Sequence, residues 1–240
     1  MFRFFLNTTI EDPQNIIITD KDIVKKIIKV LRLKAGDSLF LFDNVGEEYE
    51  VAIKELKDKK IFCRLSRRME IDRELPIEIV LYQSLLKKDK LEWVCQKVTE
   101  IGIKRIIPVV TEFCVISELN QNKISRYKKI IAEATMQSGG KIPPVFEPVI
   151  KFTEAVKTLN SRDLNIICHE QEKDNNLLEI LRTHGNKVIN IFVGPEGGFS
   201  PFEIDLARQN SLIPVGLGKR ILRSETAGIV AIGTISQIFN

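Results

Sequence analysis

The sequence predicts an α/β protein in two parts, a small β-rich domain followed by a larger domain built on a parallel sheet. Three observations carry this prediction. From Ile77 onward, short apolar segments alternate with longer amphipathic ones, the pattern of a parallel sheet covered by helices on both faces. Before Ile77, apolar segments lie close together between turn residues, with one helical pattern among them. The length, 240 residues, suits one large or two modest domains.

The elements follow in order. Phe2–Leu6 is the first predicted strand. Over Asp20–Leu33, Val24, Ile27, Ile28 and Leu31 recur at helical spacing and are expected to face inward. Lys21, Lys25, Lys29 and Arg32 then form a basic stripe on the opposite side. Ser38–Asp43 and Glu48–Ile53 flank Asp43-Asn44-Val45-Gly46, the turn chemistry of a hairpin, and Lys59–Leu65 adds a strand. Ser66–Pro76 is charged, lacks apolar periodicity and ends in proline, so the boundary is drawn there, with domains at 1–73 and 74–240. Further strands are expected at Ile77–Tyr82, Ile106–Val110, Leu164–Cys168, Val188–Val193 and Ile213–Leu217. Helices are expected at Leu91–Ile101, about Ser125–Gln137, about Asn176–Thr183, from Pro201 and from about Glu225.

Composition narrows the class. Hydrophobic residues make up 44% and charged residues 28%, enough apolar material for a packed core and far from a disordered chain. Apolar runs such as Ile229–Ile232 fall well short of the roughly 20 residues a membrane-spanning helix requires, and Met1–Ile10 has no signal-peptide pattern. A cytoplasmic protein with no membrane partner is expected. The four cysteines stand apart with no Cys-x-x-Cys pair, and only two histidines could join them, so no metal is expected. A net charge of +4 neither demands nor excludes nucleic acid.

In open α/β sheets ligands bind beyond the carboxyl ends of strands, and two such segments stand out. The first is Gly194-Pro195-Glu196-Gly197-Gly198-Phe199-Ser200, between an apolar strand and a helix whose Ser200, Pro201 and Glu203 form a capping box. A tight βα turn and a ligand cradle both fit it. The second, Leu217-Gly218-Lys219-Arg220-Ile221-Leu222-Arg223-Ser224-Glu225-Thr226-Ala227, sets three cations before an apolar helix. A solvated basic loop and an anion grip both fit it. The two loops are expected side by side in the sheet, forming a single pocket. No P-loop and no early dinucleotide fingerprint is present.

Together these two segments resemble the RsmE family, bacterial 16S ribosomal RNA uridine N3-methyltransferases of the SPOUT superfamily. The likeness extends over the chain: Arg3-Phe4-Phe5 and Val30-Leu31-Arg32-Leu33-Lys34-Ala35-Gly36-Asp37 resemble the family's N-terminal PUA-like RNA-binding β-barrel. Leu91-Glu92-Trp93-Val94-x-Gln96-Lys97-x-Thr99-Glu100-x-Gly102 resembles its first α/β helix. Two departures are Lys25-Lys26, where many members carry a histidine pair, and Gly139-Gly140-Lys141, where an arginine is frequent.

The resemblance implies a deep trefoil knot in the C-terminal parallel-sheet domain, S-adenosylmethionine as cofactor, no metal, 16S rRNA or the 30S subunit as partner, and a homodimer. The apolar helix Ala227–Phe239 serves equally as a dimer contact or as a helix buried in its own subunit. Cofactor contacts are implied for His169, Gly194, Glu196, Gly197, Gly198, Leu217, Gly218, Ile221, Leu222, Thr226 and Ala227, with His169 equally a plain surface histidine. Arg220, Arg223 and Glu196 are the implied catalytic residues. Glu196 is either a base for the N3 proton or a carboxylate satisfying its own loop. Arg3, Lys25, Lys29, Arg32, Lys219, Arg220 and Arg223 form the implied RNA surface.

Overall fold

A computed structural model describes residues 2–69, 73–185 and 187–240. The chain forms two compact units, Met1–Glu74 with Thr135–Pro143, and Leu75–Ala134 with Pro144–Asn240.

The first unit contains β1 (Arg3–Phe5), β2 (Ile16–Ile18), α1 (Lys21–Lys25), β3 (Ser38–Phe42), β4 (Glu48–Lys57) and β5 (Lys60–Met69), in a sheet of order β1-β3-β4-β5-β2. The expected hairpin is β3–β4. Its turn is set by Asp43, fully buried, whose carboxylate accepts from the Val45 and Glu47 amides at 3.1 and 2.9 Å. Register shifts at Glu50/Val51 and Ile53/Glu55 are bulges that bend the long β4–β5 ribbon.

Three expectations change in this unit. Strand β2 was not anticipated, and β5 runs on to Met69, through residues read as the boundary. Those charged residues form a solvated sheet face, with Arg67 and Arg68 paired to Glu50 and Glu47 across the ribbon at 3.3 and 2.6 Å. The predicted helix is real but changes pitch: α1, capped by the Asp20 carboxylate, continues as a π-helical turn over Lys26–Val30. The wider turn takes more than 3.6 residues. Val24 and Ile27 are therefore buried, whereas Ile28 faces outward. Arg32 lies beyond the helix at φ 55°, so helical spacing does not place it in the stripe with Lys25 and Lys29.

The rest of the chain is β6 (Glu78–Ser84), α2 (Lys90–Ile101), β7 (Arg105–Val110), α3 (Gln121–Ser138), β8 (Val145–Phe146), β9 (Ile150–Lys151), α4 (Phe152–Ala155), β10 (Leu164–Cys168), α5 (Leu177–Thr183), β11 (Val188–Val193), α6 (Pro201–Gln209), β12 (Ile213–Val215) and α7 (Ser224–Phe239). Its strands pair in parallel in the order β12-β10-β11-β6-β7-β8, with β9 also on β7. Both sheet faces are covered, as the near-continuous apolar strands require. On one face Ile79, Leu81, Ile166, Ile189 and Ile191 pack with Leu91, Val94 and Val98 of α2 and Ala231, Ile232 and Ile235 of α7. On the other, Tyr82 stacks on Phe192 at 4.1 Å between ring centroids, beside Phe152, Ile204 and Ala207. Helix α7 buries one face in its own unit and leaves Val230 exposed on the other. No helix among the described residues is long and apolar enough to cross a membrane.

Candidate functional site

The sheet order alters the expected placement of the two loops. β12 does not lie beside β11, because β6 occupies one edge of β11 and β10 the other. After α6 the chain pairs β12 with the free edge of β10. The site is therefore built by three strand ends, with the β10 loop between the glycine-rich and basic loops.

Together they enclose a cavity of about 400 Å³, lined by residues 168–170, 193–199, 215–224 and Ala227. His169 lies there, its backbone amide bonded to the Val215 carbonyl at 2.9 Å. Burial pushes the adjacent Cys168 thiol up to about 12, which keeps it protonated and unreactive at neutral pH. All the sequence-predicted cofactor residues line the cavity except Thr226, which is exposed on the first turn of α7. Gly198 at φ +73° and Gly218 at φ +125° hold conformations that side-chain-bearing residues rarely adopt, and they leave two walls as bare backbone. The Glu170 carboxylate reaches over this bend, with Oε1 3.1 Å from where a Cβ on Gly198 would stand.

Each edge of the glycine-rich loop is anchored by a buried or half-buried polar group. At its exit the capping box is complete: the Ser200 amide donates to Glu203 Oε2 at 2.9 Å, and the Glu203 amide donates to Ser200 Oγ at 3.3 Å. The other oxygen of this buried carboxylate accepts from the Glu112 amide at 2.9 Å, tying in the loop after β7. At its entrance the Gly194 carbonyl accepts from the Ser224 hydroxyl, which accepts from the Gln83 amide at 3.0 Å.

Glu196 faces Lys90, with 2.8 Å between its carboxylate and Nζ, and Glu225 lies 3.5 Å from the same Nζ. Partial burial pushes the Glu196 carboxyl up. The Lys90 hydrogen bond and charge, with backbone amides, outweigh that and hold it below its usual value. The basic loop is different in kind. Lys219, Arg220 and Arg223 are exposed and, among the described residues, have no carboxylate within ion-pair distance. Arg3 is not such a free cation: it sits in an ion pair at 2.5 Å with the buried Glu48, so its charge is already committed inside the first unit. Lys25, Lys29 and Arg32 are exposed. Among the described residues, no three His, Cys, Asp or Glu side chains come together as a metal site.

Glu170, Lys90 and Gln83 escaped the sequence reading. Glu170 had a signal in its position one residue past a predicted strand end, beside His169. The pairings of Lys90 and Gln83 with residues more than a hundred positions away had none.

Comparison with known proteins agrees with this geometry. The profile of a family described as an RNA methyltransferase domain matches residues 73–236, and one described as an RNA methyltransferase PUA domain matches residues 18–66. A ribosomal RNA small subunit methyltransferase E of Rickettsia conorii is 32% identical over 97% of this chain and 94% of its own. Its counterpart in Bacillus subtilis is 29% identical over 98% and 96%. The crystal structure of a ribosomal RNA small subunit methyltransferase E from Neisseria gonorrhoeae bound to S-adenosyl methionine superposes with a TM-score of 0.91 at 29% identity, covering 100% of this chain and 98% of that one.

Proposed function

Because the chain belongs to the family of ribosomal RNA small subunit methyltransferase E proteins, we propose that it methylates N3 of a specific uridine in 16S ribosomal RNA. The observation that carries this reading is one cavity walled by bare glycine backbone on one side and by exposed cations on the other. Its volume of about 400 Å³ suits a small-molecule site, which typically measures ~300–1,000 Å³.

When bound, S-adenosylmethionine supplies a methyl group on a sulfonium, an electrophile that needs alignment more than activation. The backbone of Gly194, Gly197, Leu217, Gly218 and Leu222 would hold it. Uracil N3 carries a proton, and its loss leaves an anion. Arg220 and Arg223 stabilise that anion and grip a neighbouring phosphate, since among the described residues no carboxylate competes for them. Glu196 is a weak base while paired with Lys90, so in this reading it pins the glycine-rich loop to the start of α2 rather than taking the proton. Lys25, Lys29 and Arg32 extend the phosphate contacts on the first unit, toward rRNA or an assembled 30S particle.

The same reading includes a trefoil knot, a homodimer and a cytoplasmic site of action. The step of the chain over β10 to β12 and its return to α7 supports the threading. The exposed apolar Val230 on α7 supports a second copy.

The test is methylation of 16S rRNA and of 30S subunits by the purified protein with EDTA present, followed by mapping of the modified nucleotide. A single N3-methyluridine is expected. Modification of transfer RNA alone, or activity abolished by EDTA, overturns the reading.

A further inference from the structure

We propose that Ile221 is an apolar wedge that enters the RNA stack as the target nucleotide turns into the cavity. The inference rests on the rRNA methyltransferase reading above and goes beyond it by assigning the step that exposes the base.

At 81%, Ile221 is the most exposed large apolar side chain among the described residues. It stands at the rim of the cavity between Lys219 and Arg220 on one side and Arg223 on the other, all exposed and, among the described residues, without carboxylate partners. A side chain this exposed contributes almost nothing to the packing of the fold. The family resemblance groups it with the cofactor residues, yet its side chain lies in solvent while the neighbouring Leu222 is half-buried.

The chemistry supplies a use for it. N3 lies on the pairing edge of uracil, so the base must leave its stack before the nitrogen can be reached. Proteins that unstack nucleic acid commonly insert Ile, Leu, Phe or Met between base steps, held in place by cations on the backbone. Ile221 has that arrangement. The flanking cations fix the phosphates, and the branched side chain fills the gap the extruded base leaves. Glu196 is already neutralised by Lys90, so it adds little repulsion against the RNA.

The experiment compares wild type, Ile221→Ala and Ile221→Leu on two RNAs. One is a small-subunit rRNA fragment with the target uridine stacked in a helix, carrying 2-aminopurine as its neighbour; the other is a single strand of the same local sequence. For Ile221→Ala the ratio of kcat/KM on structured over single-stranded RNA should fall about tenfold. The 2-aminopurine should stay quenched on binding, and Ile221→Leu should restore both readouts. An equal loss on both RNAs, a parallel loss of S-adenosylmethionine affinity by calorimetry, or a shift in sedimentation showing a subunit contact would each overturn the wedge alone. Wild-type protein that methylates neither RNA would instead overturn the reading on which the wedge rests.

Discussion

The Ser224 hydroxyl donates to the Gly194 carbonyl, binding the first turn of α7 to the loop after β11. Because it also accepts from the buried Gln83 amide, one hydroxyl joins β6, the loop after β11 and α7 in the cavity wall.

Ser224→Ala would leave the Gly194 carbonyl and the Gln83 amide short of a partner in a buried place, at a cost of ~1–3 kcal/mol. Thermal unfolding should record that loss, and calorimetric titration should show S-adenosylmethionine affinity down about tenfold. Ser224→Thr keeps the hydroxyl and should retain most of both. An unchanged affinity in the alanine variant would show that the loop holds its shape without this bond.

Gly197→Val tests close packing of the glycine-rich loop. A Cβ there would stand 3.0 Å from Phe113 Cβ, tighter than ordinary contact, and valine adds two methyls. Overpacking of this kind costs ~1–3 kcal/mol. Cofactor affinity should fall at least several-fold, while RNA affinity in a gel shift stays near wild type. Equal loss of both would point to a misfolded pocket.

The Lys90–Glu196 pair predicts a pH effect of known sign. The Glu196 carboxyl is held below its usual value in the folded protein, so its contribution to stability is complete at neutral pH and disappears as the pH falls through the carboxylate range. The two side chains are 28% and 34% exposed, so solvent screening limits the coupling to ~0.2–1 kcal/mol. A double-mutant cycle of Lys90→Met and Glu196→Gln should show coupling at neutral pH and none in strong acid. Coupling that survived acid would contradict an ionic link.

Replacing Lys25, Lys29 and Arg32 with Gln should lower RNA affinity and flatten its dependence on salt, by up to three phosphates neutralised. All three are exposed, so the melting temperature should barely change. A wild-type salt slope would leave Lys219, Arg220 and Arg223 as the RNA surface.

What the sequence made legible were the elements whose signal is local. Val188–Val193 is an unbroken apolar run, and Ser200-Pro201-x-Glu203 marks a helix start by the hydrogen bonds it makes. Ile28 was misread because a π turn replaces the assumed 3.6-residue pitch, and nothing in Lys26–Val30 announces it. Arg67 and Arg68 hid a strand because Glu50 on β4 and Glu47 just before it neutralise them. The insertion of β10 between β11 and β12 was invisible because strand order depends on which edges remain free. Of the site, the glycines and cations were readable as a pattern. The commitment of Arg3 to Glu48 and of Glu196 to Lys90 needed three dimensions.

The pairing of β6 with β11, Glu78 opposite Val188, bears on how the protein is made. A central strand waits for a partner encoded far downstream, and α7, which closes the cavity, comes last of all. At ribosomal speeds of ~5–20 residues per second, the stretch from β6 to α7 takes on the order of ten seconds to emerge. During that interval β6 pairs only with β7 and its other edge stays open, so the nascent chain presents a sticky edge to chaperones. Contacts this distant also slow the final assembly. A ribosome that stalls before Ser224 therefore leaves a chain without the hydroxyl that holds the Gly194 carbonyl, so its glycine-rich loop is unanchored at one end.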